Sequence, residues 1–273
     1  MNTKAFLIKI VQVLSILFLA VTLYINYLSS NQSINGVTIK DVSDANINLF
    51  TPAPVTFIVW AFIYLGLIMY AIWQVRTVFS DKYQITIRIV VERIGILFLL
   101  TCVFNSAWIF AWHYEKLFIS TILIIALLMT LIEINRRISF ELPDTPQYKL
   151  FLKVPFGMYL GWISIATISN VAAYLTKVSW QGWGLDPRFW QMFMVVLGTA
   201  IACWSVIKLN NIAYGIVVIW GLGGILMVRI NDTVPSLAIM GLITLCALII
   251  LFTIMNRLKY WAPKMPQIVE QKS

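Results

Sequence analysis

Eight long apolar runs alternate with short polar connections along the chain, at roughly 5–28, 49–75, 94–113, 117–135, 152–175, 190–207, 211–228 and 234–256. Each contains about twenty residues with almost no charge, enough for a helix rising about 1.5 Å per residue to cross a hydrocarbon core of roughly 30 Å. The pattern predicts an all-α polytopic membrane protein with eight transmembrane helices. The first run, with Lys4 just ahead of it and Lys9 in its first turns, reads as a retained helix. It is too long for a signal peptide and has no small-x-small cleavage site after it. The second opens with Thr51, placed to cap a helix, and with Pro52 and Pro54 in a first turn where a missing N–H costs nothing. Residues 113–116 form a tight turn, so the third and fourth spans must run antiparallel. Residues 76–93 read as a charged connection.

Residues 29–53 are polar, rich in Asn and Ser, and longer than a simple connection requires, which predicts a segment folded back over one end of the bundle. Hydrophobic residues make up 60% of the chain and charged residues 11%, which leaves no room for a soluble catalytic domain. The net charge of +9 comes from 20 Lys and Arg in short loops rather than in one patch, so the lipid bilayer is the expected partner and nucleic acid is not. With the N-terminus inside, 15 of these residues fall on the inner side and 5 on the outer, which predicts that both termini are cytoplasmic.

Polar and aromatic residues inside the spans carry the candidate chemistry, because they are costly there. Trp60, Tyr64, Leu67 and Ala71 share one stripe of the second span; Thr101, Asn105, Trp108 and Trp112 share one in the third. Trp162, Ala166, Ser169 and Ala173 repeat the pattern in the fifth, with Asn170 one step round. Three such faces can line a cavity, although packing of small residues and Asn hydrogen bonds produces similar faces. Trp180, Trp183, Trp190 and Trp261 read as interfacial anchors, and His113 as an interfacial residue. Cys102, Cys203 and Cys246 lie in apolar runs and read as small hydrophobes. No nucleophile, metal-ligand or phosphate-loop constellation appears, so no catalytic or metal-binding residue is assigned. Glu133 is the one carboxylate within a predicted span and lies beside Arg136 and Arg137, which argues against ion-coupled transport.

Over residues 1–178 the order of these faces resembles the translocator protein / tryptophan-rich sensory protein (TspO/MBR, peripheral-type benzodiazepine receptor) family. The second-helix pattern is matched by Pro52, Val59-Trp60, Ile63-Tyr64 and Met69, and the third-helix pattern by Phe104-Asn105, Trp108 and Phe110. The fifth-helix pattern is matched by Tyr159-Leu160, Trp162, Ala166-Thr167 and Asn170. Met158, Ile165 and Thr101 replace the Pro, Phe and Gln found in the family.

The resemblance implies a five-helix bundle over 1–178, with three additional helices and a short tail in 179–273. It implies no required cofactor and a binding cavity for porphyrin, a haem-like tetrapyrrole or another small hydrophobic ligand. The cavity would be lined by Trp60, Tyr64, Asn105, Trp108, Trp162, Ala166 and Asn170 and closed by the loop after the first helix. Light-dependent porphyrin breakdown follows from the resemblance alone, at Trp60 and Trp162. A bacterial plasma membrane is the expected location. Gly215, Gly221, Gly223 and Gly224 suggest close packing of the added helices against the bundle or against a second copy in a homodimer. A scaffold acting through partner proteins and a facilitated transporter of a hydrophobic ligand are the alternative readings.

Overall fold

A computed structural model describes residues 3–79 and 84–259. Its helices are α1 (Thr3–Ser30), α2 (Ile39–Ala45), α3 (Val59–Phe79), α4 (Gln84–His113), α5 (Leu117–Phe140), α6 (Val154–Lys177), α7 (Pro187–Lys208), α8 (Ile212–Ile230) and α9 (Leu237–Lys259). No strand occurs among the described residues. All except α2 belong to the eight segments long and apolar enough to cross a membrane. A short helical turn, Pro146–Tyr148, and a π-turn, Lys149–Lys153, lead into α6.

α1, α3, α6, α5 and α4 form a closed ring in that order, each helix packing on its two neighbours. α8 lies against α6, and α7 and α9 pack on α8 and on each other, so the last three helices join the ring through α8. Glycine makes this contact close. A Cβ on Gly161 of α6 would stand 3.0 Å from the Tyr214 carbonyl oxygen, and one on Gly221 of α8 would collide with Ile165. Asn211 caps α8 by accepting the Tyr214 N–H at 3.1 Å, and donates to Asn135 of α5 at 2.7 Å.

Three local expectations change. Thr51 does not cap a helix: its hydroxyl accepts the Asn48 N–H, Pro54–Ile58 is a 3-10 turn, and the α-helix starts at Val59. The reason lies at Ala53, which is held extended (φ −58°, ψ 146°) ahead of Pro54 and donates its N–H to the Gly224 carbonyl of α8 at 3.0 Å. Most of 76–93 is helical, because α3 continues to Phe79 and α4 starts at Gln84. In the first third of α4, Glu92 pairs with Lys4 and Arg88, and Arg93 with Glu141. Glu133 binds Arg136 at 2.7 Å and Arg137 at 2.6 Å at this same basic end of the ring.

His113 is the third change. It is fully buried, with Nδ1 2.8 Å from the Ile109 carbonyl and Nε2 3.0 Å from the Ser29 hydroxyl of α1. A carbonyl only accepts, so Nδ1 carries a proton and donates it to Ile109, while Nε2 shares a hydrogen bond with Ser29. The expected interfacial residue is therefore a buried tie between α4 and α1.

Candidate ligand-binding site

The three stripes meet. Trp60 of α3, Trp108 and Trp112 of α4, and Trp162, Ala166, Ser169, Asn170 and Ala173 of α6 line one pocket at the end of the ring opposite the basic one. The segment after α1 covers it, with Ile39 and Ser43 of α2 and then Asn46 and Asn48 facing the same space. A capping box holds α2: the Thr38 hydroxyl accepts the Asp41 N–H, and the Asp41 carboxylate accepts the Thr38 N–H at 2.8 Å. These hydrogen bonds keep the Asp41 carboxyl below its ordinary pKa. The lid is tied to the bundle in two places. Trp112 Nε1 donates to the Ile39 carbonyl at 3.1 Å, and Asn35 Nδ2 to the His113 carbonyl at 2.8 Å.

The indoles differ in what they leave free. Tyr64 stacks on Trp60 with ring centroids 5.2 Å apart, and Trp162 meets Trp60 edge-on at 6.4 Å. Trp108 stacks on Trp112 at 6.0 Å and donates to Asn170 Oδ1 at 2.9 Å. The Asn170 amide also donates to Ser120 at 3.1 Å and to Thr121 at 2.8 Å, so its polar atoms join α4, α5 and α6. Three buried polar atoms nearby have no protein partner: Trp162 Nε1, the Tyr64 hydroxyl and Asn105 Nδ2. Trp162 lines the pocket directly, whereas Tyr64 and Asn105 lie behind its lining.

One polar seam escaped the sequence reading. Gln12, Ser15, Leu19, Thr22, Asn26 and Ser29 follow the alternating three-and-four spacing that places residues on one helix face, and all but the half-buried Asn26 are buried. Asn26 Nδ2 donates to Asn105 Oδ1 at 3.0 Å, Thr22 contacts Ser106 at 3.3 Å, and Gln12 donates to Thr77 at 2.7 Å. α1 thus holds Asn105 by its oxygen. The spacing of these polar residues inside an apolar run was the available signal.

The pocket has a volume of about 40 Å³, against roughly 300–1,000 Å³ for pockets that bury a drug-sized molecule. A much larger cavity, about 1170 Å³, lies beyond the Asn48–Phe50 segment. Trp180, Trp183 and Trp190, read from the sequence as interfacial anchors, line it, Trp183 while 80% exposed; Trp261 lies outside the described residues.

The fold and this site define a helical membrane protein with eight candidate spans and a lidded aromatic pocket between its helices. The chain matches the family described as TSPO-like protein over residues 12–255, and it belongs to that family. The match continues beyond the first five spans into α9. Family membership points to a membrane ligand-binding or translocator role. Comparisons with curated proteins and with solved structures gave no match.

Proposed function

We propose that this protein binds a flat, mainly apolar molecule of tetrapyrrole type in the pocket among α3, α4 and α6, and acts as a membrane sensor or translocator for it. One observation carries the reading. Four indoles from three helices converge under a tethered lid, beside a buried indole N–H that has no acceptor in the protein. A macrocycle offers large faces to stack on indoles, at about 0.5–1.5 kcal/mol per pair beyond burial, and an acceptor at its edge would satisfy Trp162 Nε1. The 40 Å³ closed volume means that the lid and the Trp60–Tyr64 stack must shift to admit it. In this reading Trp60, Trp162, Trp108 and Ala166 form the walls, Asn170 fixes Trp108, and Asn105 and Tyr64 supply polar groups behind them.

Titrating protoporphyrin into the purified chain and following tryptophan quenching tests the proposal. Trp60→Ala or Trp162→Ala is expected to remove stacking and buried area, on the order of 1–3 kcal/mol or about five- to 150-fold in affinity. Trp204→Ala is the control, because Trp204 is exposed on α7 and is not part of the lining. Saturable binding lost only in the first two variants supports the pocket. Absent binding, or equal loss in all three, removes it. The topology that accompanies this reading has both termini in the cytoplasm. Activity of a periplasm-specific reporter fused at Ser273 would overturn it.

A further inference from the structure

We propose that the 1170 Å³ cavity is a second binding site, which takes an amphiphile with an oxyanion head at Arg229 and an apolar body along α6 and the Trp-rich loop. Arg229 stands in the last turn of α8, at the lid end, with only 9% of its side chain exposed. One nitrogen, Nη1, pairs with Asp232 at 3.1 Å, and Nε is buried with no acceptor. A guanidinium stays charged, so a buried N–H of this kind needs an acceptor, and a carboxylate or phosphate matches its planar fork best. The carboxylate in the lining, Asp186, is engaged by capping α7, where it accepts the Arg188 N–H at 2.6 Å.

The remaining walls suit the apolar part of such a molecule. Trp180, Trp183 and Trp190 sit in mutual contact with centroids 5.4–5.5 Å apart. Their loop is built for this: Gly182 and Trp183 take φ of 60° and 55°, and Trp190 Nε1 donates to the Gly182 carbonyl at 3.1 Å, fixing the loop to α7. Val171, Ala172 and Leu175 of α6 face them across the cavity. The site lies at a span end, where lipid heads meet hydrocarbon, so an acidic amphiphile reaches it from the bilayer. It is separated from the pocket under α2. Asn48 donates to the Ser169 carbonyl at 3.3 Å, Ser169 to the Phe50 carbonyl at 2.9 Å, and Gln191 to the Leu49 carbonyl at 2.7 Å, so this strap is closed on both sides.

The test uses the purified full chain in a neutral detergent, with terminally brominated dodecanoate and the matching brominated dodecanol as quenchers of the loop tryptophans. The acid is expected to bind about tenfold tighter than the alcohol or more, the size of one charge-assisted hydrogen bond. Arg229→Gln should bring the acid down to the alcohol, and Ala172→Trp, which fills the cavity, should weaken both. If Arg229→Gln does not fold, Arg229→Lys carries the test: it keeps a cation for Asp232 but lacks the Nε–H, and should also lose most of the preference. Displacement of the quencher by short-chain phosphatidic acid identifies a phospholipid head, and displacement by dodecanoate alone a fatty acid; either supports the site. Equal affinity for acid and alcohol in the native chain, or an unchanged preference in both Arg229 variants, overturns it.

Discussion

Replacing Asn170 with Ala separates a ligand contact from a structural hub. The residue is 2% exposed, and its amide makes three interhelical hydrogen bonds at 2.8–3.1 Å: from Trp108, to Ser120 and to Thr121. The two hydroxyls keep a bond to the Leu117 carbonyl of their own helix, so their loss is partial. Trp108 Nε1 loses its only protein acceptor. At about 0.6 kcal/mol per interhelical bond in a membrane protein, plus about 1–2 kcal/mol for the orphaned N–H and the small void, Asn170→Ala should cost about 2–4 kcal/mol. Cys102 and Cys246 are buried at 4% and 3% exposure, so a thiol-reactive dye reports unfolding on heating. The dye transition should fall by several degrees. In a Trp108→Phe background, which already lacks the N–H, the same substitution should cost less, by roughly 0.6–1.7 kcal/mol of coupling. Strictly additive costs would refute the hub, as would an unshifted transition accompanied by lost protoporphyrin affinity.

Three further outcomes are expected. Gly161→Ala should destabilise the chain by about 1–3 kcal/mol, because its Cβ would press on the Tyr214 carbonyl, whereas Gly223→Ala meets nothing within 4 Å and should be neutral or stabilising; dye-monitored melting compares them. Trp73→Ala should destabilise the chain by roughly 3–5 kcal/mol, read by the same melting assay, since Trp73 is 3% exposed and stacks on Phe151 at 5.5 Å, anchoring α3 to the π-turn before α6. Lid order should depend on acid. The Thr38 hydrogen bonds lower the Asp41 pKa, so their stabilisation is complete above the ordinary carboxylate value of about 3.9 and is lost as pH falls through the lower folded value. Hydrogen exchange over 38–46, corrected for its intrinsic pH dependence, should stay constant from neutral pH to about 5 and rise only below about 4.

The spans were legible in the chain because a bilayer makes helix formation a local matter: every backbone polar group must be satisfied within its own segment. The stripes carrying Trp60, Trp108 and Trp162 were legible for the same reason, since helical spacing alone decides which residues share a face. Which groups on those faces are free was not a local matter. Asn170 and Asn105 look alike in sequence, yet one amide is consumed by α4 and α5, while the other, held by Asn26 of α1, keeps its N–H groups unpaired. His113 looks like a turn residue until Ser29, on another helix, supplies its partner. The start of α3 depends on Ala53 finding the Gly224 carbonyl, and the Trp-rich loop becomes a wall only when α6, α7 and Arg229 stand around it. Helix and stripe follow from neighbours three and four residues away, but hydrogen-bond partners and cavity volumes depend on side chains distant in the chain, and only the packed bundle sets those distances.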